Sequence, residues 1–261
     1  MTAHQDSSGP VDHQDSSGPV DHQDSSDPAD SQDSQPTQSP APLTRTIVLA
    51  VAIWLAGLIP LTLLARTPDW SVRLYELAVT DSSIRWGDVL SEASVLLLVG
   101  LYAAVGVHLL ISHLRARTTG WTPVITYAAG GLSVIMALWL NLALKDAYSR
   151  VRPCHLHEVS SICPAPDNWS FPSSHTVIAF AITAALLAVK PLLAWVAVPL
   201  AVAGGSARVL AGDHYPHDVL AGALLGTTLC LGVIALSALP SGRRGPDVRV
   251  GPPVRSPRRS T

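Results

Sequence analysis

The sequence predicts an all-α fold, a polytopic membrane helix bundle with six transmembrane helices, and three observations carry this prediction. Of the 261 residues, 48% are hydrophobic and only 14% are charged, whereas a soluble domain carries about 25% charged residues. The mean hydropathy is positive, at +0.32. The chain also contains six apolar runs separated by polar connections, and a run of about 20 apolar residues spans the hydrocarbon core of a bilayer.

The two ends of the chain differ from its apolar middle. Residues 1–44 contain eight aspartates and no lysine or arginine, and a nine-residue unit at 4–12 is repeated at 13–21. Each unit has a single aliphatic residue, so its burial cannot offset the entropy cost of ordering. The sequence therefore predicts a disordered acidic low-complexity tail at 1–44, which is not a signal peptide. It predicts one membrane domain at 45–240 and a disordered basic tail at 241–261.

The six predicted spans alternate with polar connections. The connection at 66–91 has mixed charge, and the loop at 145–171 is polar and contains two cysteines. The third span is rich in Gly, Ala and Ser, which allow helices to pack closely in lipid. The spans are expected at 46–64, 92–112, 122–144, 174–189, 191–209 and 218–239.

Basic residues are distributed unequally between the two sides of this predicted bundle. Six spans place both tails on one side, which carries ten of the seventeen Lys and Arg residues. Because positively charged segments stay in the cytoplasm, we expect cytoplasmic tails and an extracytoplasmic loop at 145–171. A disulfide between Cys154 and Cys163 is favoured on that oxidising side. Cys230 lies in an apolar run and is expected to be a small buried hydrophobe.

Polar residues of three separate segments converge at one end of the predicted bundle. Lys145 ends the third span, and Ser173 and His175 begin the fourth on the same side. The fourth and fifth spans each have about 17 residues, or roughly 26 Å at 1.5 Å per residue. Arg208 therefore returns to the depth of His175, and Asp218 opens the sixth span there. We expect one polar layer near the outer surface of the membrane.

The charges of this layer favour an anion. Lys145, Arg152 and Arg208 are cations without a matching run of carboxylates, and arginine offers paired donors that fit phosphate oxygens. Ser173 and Ser174 open a helix whose free backbone N–H groups and positive dipole end also attract anions. The sequence therefore predicts a phosphate-binding site.

Two histidines and an aspartate in the same layer predict a reaction at the phosphate. His214 is the candidate nucleophile, which would form a phosphohistidine, and Asp218 would hold its imidazole in the required tautomer. His175 is the candidate acid for the leaving oxygen and the base that then activates water. Phosphoryl transfer needs mostly positioning and charge neutralisation. Because three cations replace Mg²⁺ in this role, no metal or other cofactor is expected.

Other polar residues near these motifs receive a different interpretation. Five are expected to serve the fold rather than the reaction: Asn141, Asp146, Arg150, Asp213 and His217. Residues 168–170 match a glycosylation sequon, which matters only in a secretory-pathway host. His155 and His157, with the two loop cysteines, resemble a metal-binding set, but their spacing fits zinc poorly.

These residues resemble three motifs of the type 2 phosphatidic acid phosphatase (PAP2) superfamily, the integral-membrane lipid phosphate phosphatases. The first motif, Lys, six residues and Arg-Pro, corresponds to residues 145–153. The second, Pro-Ser-Gly-His, corresponds to residues 172–175, with Ser174 in place of glycine. The third, Ser-Arg, five residues, His, three residues and Asp, corresponds to residues 207–218, with Ala207 in place of serine. Neither departure removes a group that the expected mechanism needs.

The resemblance covers about residues 92–239 and implies roles for the same side chains. His214 would be the nucleophile, Asp218 its partner and His175 the acid. The residues expected to contact phosphate are Lys145, Arg152, Ser173, Ser174 and Arg208. The resemblance also implies that the substrate is a lipid phosphate or pyrophosphate, which enters from the outer leaflet.

The leading hypothesis is a metal-independent lipid phosphatase of the cell membrane, with the bilayer and a lipid phosphate as partners and no nucleic acid. A phosphotransferase, which passes the phosphoryl group to an alcohol, uses the same residues and stays open. A vanadium haloperoxidase shares this kind of pocket, but six membrane spans disfavour it. A non-enzymatic lipid-phosphate binding or transport protein is the remaining alternative. These motifs encode neither headgroup specificity nor oligomeric state.

Overall fold

The structure, a computed structural model, describes residues 42–66, 68–116, 120–157 and 163–238. Within these ranges the chain forms helices, turns and loops and no strand, which confirms the all-α fold class. A short 3-10 turn at Pro191–Leu193 precedes α7. The helices are α1 (Pro42–Leu64), α2 (Asp69–Ala78), α3 (Asp81–Ala116), α4 (Thr122–Tyr148), α5 (Pro153–Leu156), α6 (Ser174–Val189), α7 (Ala194–Leu210) and α8 (Pro216–Ser237).

The first helix begins slightly earlier than the predicted domain boundary. Because α1 starts at Pro42, residues 42–44 are helical rather than the end of a tail. The rest of the predicted acidic tail and the whole predicted basic tail at 241–261 lie outside the described residues. The disorder of both tails therefore stays a prediction.

The described helices are those of a multi-pass membrane protein. Five segments, which include most or all of α1, α3, α4, α7 and α8, are long and apolar enough to cross a membrane. The remaining apolar helix, α6, has 16 residues, which corresponds to about 24 Å at 1.5 Å per residue. This is shorter than a hydrocarbon core of about 30 Å, so the sixth crossing stays a prediction.

The predicted polar connection at 66–91 is largely helical. α2 occupies part of it and buries Ser71 and Tyr75, and α3 begins at Asp81 rather than at the predicted Glu92. An apolar run marks only the part of a helix that meets hydrocarbon or core. A helix that continues into polar surroundings is therefore longer than its apolar run.

The central helix of the bundle is α6. Nine of its sixteen residues are buried, and it packs against α3, α4, α7 and α8. Two glycines of α8 allow the closest approach. A Cβ atom at Gly226 would lie 2.3 Å from the carbonyl oxygen of Val177, and one at Gly222 would lie 2.7 Å from that of Ser173. The start of α6 is thereby held directly against the first half of α8.

A methyl group at Gly226 meets backbone rather than a mobile side chain. We therefore expect Gly226→Ala to push α8 away from α6 and to destabilise the protein by about 1–3 kcal/mol. The unfolding temperature of the detergent-solubilised protein measures this loss. Gly100→Ala is the matched control, because nothing lies within 4 Å of a Cβ atom there and alanine favours helix. Equal unfolding temperatures for the two variants would contradict the close packing of α6 on α8.

Candidate active site

Four helix ends meet where the sequence places its polar layer. Lys145 lies in the last turn of α4 and Arg208 in the last turn of α7, while α6 begins at Ser174 and α8 at Pro216. The start of α6 and the end of α7 line a cavity of about 320 Å³, together with α3, Arg152 and the loops after α5 and α7. Its lining residues are Glu92, Arg152, Pro164, Asn168, Ser174, His175, Arg208, Asp213 and His214. The structure thus brings the three sequence motifs together at one end of the bundle.

The predicted site residues fall into two sets. Five line the cavity: Arg152, Ser174, His175, Arg208 and His214. Three are buried outside its lining: Lys145, Ser173 and Asp218. The Lys145 ammonium donates to the carbonyl oxygen of Trp169, and the Ser173 hydroxyl accepts from the Thr176 hydroxyl at 3.1 Å. Direct phosphate contact by Lys145 and Ser173 therefore stays a prediction.

Arg152 immediately precedes α5, and its guanidinium group is held from several directions. Nε donates to the carbonyl oxygen of Asn168 at 2.7 Å, and Nη2 donates to the side-chain Oδ1 of the same residue at 2.9 Å. Nη1 lies 3.0 Å from Nε2 of His214 and 3.4 Å from the carbonyl oxygen of Asp213. The arginine of the first motif is thus fixed against the nucleophile candidate of the third.

Arg208 is balanced by two carboxylates. Its Nη2 donates to Oδ2 of Asp213, and its Nη1 lies 3.8 Å from Oδ1 of Asp88 on α3. Asp213, interpreted from the sequence as a residue of the fold, also lines the cavity. Burial raises the pKa of the Asp213 carboxyl group, and the charges of Arg208 and Arg152 oppose this rise.

His214 is held as a neutral imidazole. Its residue is 1% exposed, and Nε2 lies 3.0 Å from Nη1 of Arg152. A guanidinium group has only donors, so Nε2 accepts this bond and the ring proton is on Nδ1. Burial lowers the pKa of His214 well below its ordinary value, and the charges of Arg152 and Arg208 lower it further. At neutral pH the ring is therefore uncharged, with an unprotonated Nε2.

Asp218 does not contact the His214 ring by a direct hydrogen bond. Its Oδ2 lies 3.7 Å from Nδ1 of His214, which is beyond hydrogen-bonding distance. The hydroxyl oxygen of Ser170 lies between them, 3.3 Å from Nδ1 and 2.6 Å from Oδ2. The expected partnership of Asp218 with His214 therefore runs through a residue outside the three motifs.

His175 faces a carboxylate on another helix. Its Nε2 lies 2.8 Å from Oε1 of Glu92 on α3. The Glu92 side chain is 60% exposed, so it remains in contact with the surroundings of the cavity. A histidine beside such a carboxylate is suited to give a proton to one group and to take it from another.

The serine that replaces the glycine of the second motif has its own partner. Nδ2 of Asn141, a fully buried residue of α4, donates to Oγ of Ser174 at 2.8 Å. This bond holds the additional side chain towards α4. The serine side chain therefore does not fill the cavity, and Ser174 is part of the cavity lining.

A layer of polar and aromatic residues lies beside the site and agrees with the fold role expected for His217 and Arg150. His217 is fully buried, with Nδ1 2.8 Å from Oγ of Ser71 and Nε2 2.5 Å from Nη1 of Arg150. Arg150 also donates to the carbonyl oxygen of Ala65 after α1, and its guanidinium lies over the ring of Phe171. These contacts join the ends of α1, α2 and α8.

A disulfide between Cys154 and Cys163 closes the loop that follows Arg152, in agreement with the sequence prediction. Together with His155 these cysteines form a cluster of metal-ligand types within the described residues. Zinc binds thiolates, and the two sulfur atoms are bonded to each other, so the residues present do not fit such a site. Cys230 is fully buried, which confirms its prediction.

Three residues of the site are missing from the sequence prediction: Glu92, Asn168 and Ser170. Glu92 carries a usable signal, because an acid at the outer end of a predicted span faces the polar layer. Asn168 matches a glycosylation sequon, whereas in the structure its amide oxygen binds Arg152. Ser170 is one serine in a polar loop, and its sequence context contains no signal for a contact with Asp218.

The family comparison agrees with this arrangement. The model of the PAP2 superfamily matches residues 126–239, a range that contains all eight predicted site residues. This part of the chain is therefore similar to the PAP2 superfamily. Glu92 lies outside the matched range, so the partner of His175 comes from a part of the chain that the family model does not cover.

The curated proteins to which this chain is similar include three from bacteria. An undecaprenyl-diphosphatase of Bacillus subtilis is 36% identical over 34% of this chain and 47% of its own length. A bacitracin transport permease protein of Bacillus licheniformis is 32% identical over 47% of this chain and 60% of its own length. A lipid A 1-phosphatase of Rhizobium johnstonii is 36% identical over 38% of this chain and 42% of its own length. The chain therefore spans about half the length of the curated relatives it matches.

A solved structure also resembles the protein. It is the crystal structure of a transmembrane PAP2 type phosphatidylglycerolphosphate phosphatase from Bacillus subtilis, with 23% sequence identity and a TM-score of 0.47. The superposition covers 70% of this chain and 93% of that one.

Because the guanidinium group of Arg152 offers paired N–H donors, we expect a specific effect of this residue on anion binding. Orthophosphate is expected to raise the unfolding temperature of the detergent-solubilised protein by binding the folded state. Arg152→Lys should weaken phosphate binding by about tenfold, because lysine keeps the charge but loses the paired donors. Arg73→Lys, on the exposed face of α2, is the matched control. Equal phosphate dissociation constants for both variants would exclude this role of the paired donors.

Proposed function

We propose that this protein is a membrane lipid phosphatase of the PAP2 superfamily, which hydrolyses a phosphate monoester or a pyrophosphate of a lipid through a phosphohistidine. The observation that carries the proposal is the unprotonated Nε2 of buried His214 in a cavity lined by Arg152 and Arg208. Fixed cations attract a phosphate, and a neutral imidazole nitrogen beside them attacks it.

In the first half of the reaction, the lipid phosphate lies between Arg152 and Arg208, against the first turn of α6. Nε2 of His214 attacks phosphorus, a nitrogen–phosphorus bond forms, and the bond from phosphorus to the lipid oxygen breaks. His175 gives its proton to the departing oxygen. The products are phosphohistidine and a free lipid alcohol, or a lipid monophosphate when the substrate is a pyrophosphate.

In the second half of the reaction, water attacks the phosphohistidine. His175 takes a proton from this water, an oxygen–phosphorus bond forms, and the nitrogen–phosphorus bond to His214 breaks. Orthophosphate leaves, and both histidines return to their starting states. Glu92, hydrogen-bonded to His175, stabilises the protonated imidazole. The guanidinium groups neutralise the charge of the transferred group, so the proposed steps need no metal ion.

An apolar groove beside the cavity supports a lipid as the substrate. It has a volume of about 340 Å³ and lies between α3 and α4 over α6. Its lining includes Ile178, one helical turn along α6 from Ser174, and Leu142, the neighbour of Asn141. One turn of helix is about 5.4 Å, so a phosphate in the cavity and an apolar chain in the groove can belong to one molecule.

The orientation of the protein in the membrane forms part of the proposal. Both tails lie in the cytoplasm, and the active site opens on the extracytoplasmic side. Two observations support this orientation: the excess of basic residues on the tail side, and the disulfide between Cys154 and Cys163 beside the site, which persists in an oxidising compartment.

The names of two curated relatives support the substrate class. An undecaprenyl-diphosphatase and a lipid A 1-phosphatase, by those names, remove phosphate from membrane lipids. The proposed substrates of this protein are accordingly an isoprenoid pyrophosphate or another lipid phosphate presented by the bilayer.

The nucleophile is tested with His214→Ala. Purified wild-type protein should release orthophosphate from polyprenyl pyrophosphate or phosphatidic acid in the presence of EDTA, and the variant should lose at least about a thousandfold in kcat, because no group replaces the attacking nitrogen. His108→Ala, an exposed histidine of α3, is the matched control and should retain activity. Full turnover by His214→Ala would refute the phosphohistidine mechanism.

The same assay separates the alternatives. Adding an alcohol acceptor reports a phosphotransferase if phosphorylated alcohol replaces orthophosphate as the main product. Binding of lipid phosphate without turnover by the wild type identifies a binding or transport protein, and it would refute the proposed hydrolase.

The groove is tested with Leu138→Trp, which fills it with a larger ring. Leu138 lines the groove, so the variant should raise KM for a long-chain lipid phosphate by about tenfold through steric exclusion of the chain. KM for a short-chain soluble analogue should stay unchanged. Leu132→Trp, on the exposed face of the same helix, is the control. An equal change in KM for long-chain and short-chain substrates would exclude the groove as the chain site.

A further inference from the structure

The hydroxyl group of Ser170 occupies the gap between the nucleophile and its carboxylate. Ser170 is fully buried, and its backbone N–H donates to the carbonyl oxygen of Arg150 at 2.8 Å, which fixes the residue. Its Oγ lies 3.3 Å from Nδ1 of His214 and 2.6 Å from Oδ2 of Asp218. Ser170 does not line the cavity, so it lies where substrate does not reach.

The direction of each hydrogen bond between His214, Ser170 and Asp218 follows from the groups at the two ends of this series. Arg152 donates to Nε2 of His214, so the proton of the neutral ring is on Nδ1 and points to an acceptor. Oδ2 of Asp218 accepts from the backbone N–H of Tyr215 at 2.9 Å, as an ionised carboxylate does. The Ser170 proton is therefore directed to Asp218, and a lone pair of Oγ remains for the Nδ1 proton.

Neither His214 nor His217 donates a hydrogen bond to Asp218 that could replace the one from Ser170. Direct contact from His214 is excluded by the 3.7 Å separation of Nδ1 and Oδ2. Nε2 of His217 lies 3.2 Å from Oδ1 of Asp218, but it also lies 2.5 Å from Nη1 of Arg150. Because arginine only donates, this nitrogen of His217 is an acceptor and offers no proton to the carboxylate.

We propose that Ser170 is a positioning residue of the phosphatase, which relays the Asp218 carboxylate to His214. The relay runs from Nδ1–H of His214 to Oγ of Ser170, and from the Ser170 hydroxyl to Oδ2 of Asp218. It holds the ring in the tautomer with an unprotonated Nε2, and it stabilises the positive charge that the ring gains when Nε2 bonds to phosphorus. The catalytic consequence rests on the proposed function, whereas the hydrogen-bond relay does not.

The relay makes a kinetic prediction. Ser170→Ala should lower kcat by roughly tenfold to a hundredfold, less than the about 10⁴-fold that a wrong tautomer costs in a serine protease. KM should stay unchanged, because the hydroxyl touches no substrate. Ser170→Thr keeps the hydroxyl and should restore most of the activity. Ser133→Ala, which removes another fully buried hydroxyl, on α4, is the control and should leave kcat unchanged.

A double variant tests whether Ser170 and Asp218 act as one unit. Residues of one relay are not additive, so Asp218→Asn should cost little further activity once Ser170 is alanine. Multiplicative losses from the two substitutions would overturn the relay, and so would a Ser170→Ala variant with wild-type kcat at an unchanged unfolding temperature.

The tautomer of His214 can be measured in the wild-type protein, without catalysis and without a Ser170 variant. Nitrogen-15 NMR of histidine-labelled wild-type protein, with the His214 signal assigned from its absence in His214→Asn, should show a protonated Nδ1 and an unprotonated Nε2. The opposite tautomer would overturn the relay, even if lipid phosphate turnover is observed. The expected tautomer without turnover would leave the relay intact and refute the proposed function alone.

Discussion

The hydrogen bond from Arg152 to Nε2 of His214 is the contact on which the site depends. It joins the first motif to the third. It also determines the tautomer of the histidine: because Nε2 accepts a hydrogen bond from the guanidinium group, the ring proton is on Nδ1. The same guanidinium is anchored by the backbone and amide oxygens of Asn168, in the loop closed by the Cys154–Cys163 disulfide. The proposed nucleophile, His214, is therefore positioned by a loop as well as by helices.

Three buried cations near one another oppose folding unless their charge is offset. Lys145 and Arg152 bind backbone carbonyl oxygens, and Arg208 binds Asp213, so each pays part of its desolvation through hydrogen bonds. Asp218 is already engaged by Ser170 and the backbone of Tyr215. Carboxylates and carbonyl oxygens thus compensate these cations in part, and the proposed phosphate would add further compensation for Arg152 and Arg208.

Much of this arrangement is predictable from sequence, because apolar runs and fixed spacings report helix ends. Lys145, His175, Arg208 and His214 are each placed at the correct end of the bundle by counting residues along the spans. The length of α3 is not predictable in this way, because its first residues lie in polar surroundings and lack an apolar run. Ser170 is unpredictable for another reason: its contact depends on the path of a loop, and no periodicity constrains loops.

The long helix α3 extends beyond the level of the site, whereas the short helix α6 begins at that level. Glu92 contacts His175 at the start of α6, yet it lies eleven residues into α3, which begins at Asp81. At 1.5 Å per residue, α3 therefore extends about 16 Å beyond the level of the site. The cavity therefore lies below the outer end of α3 and beside an apolar groove. This arrangement supports the proposed lipid phosphate substrate, whose charged end and apolar chain would both contact the protein.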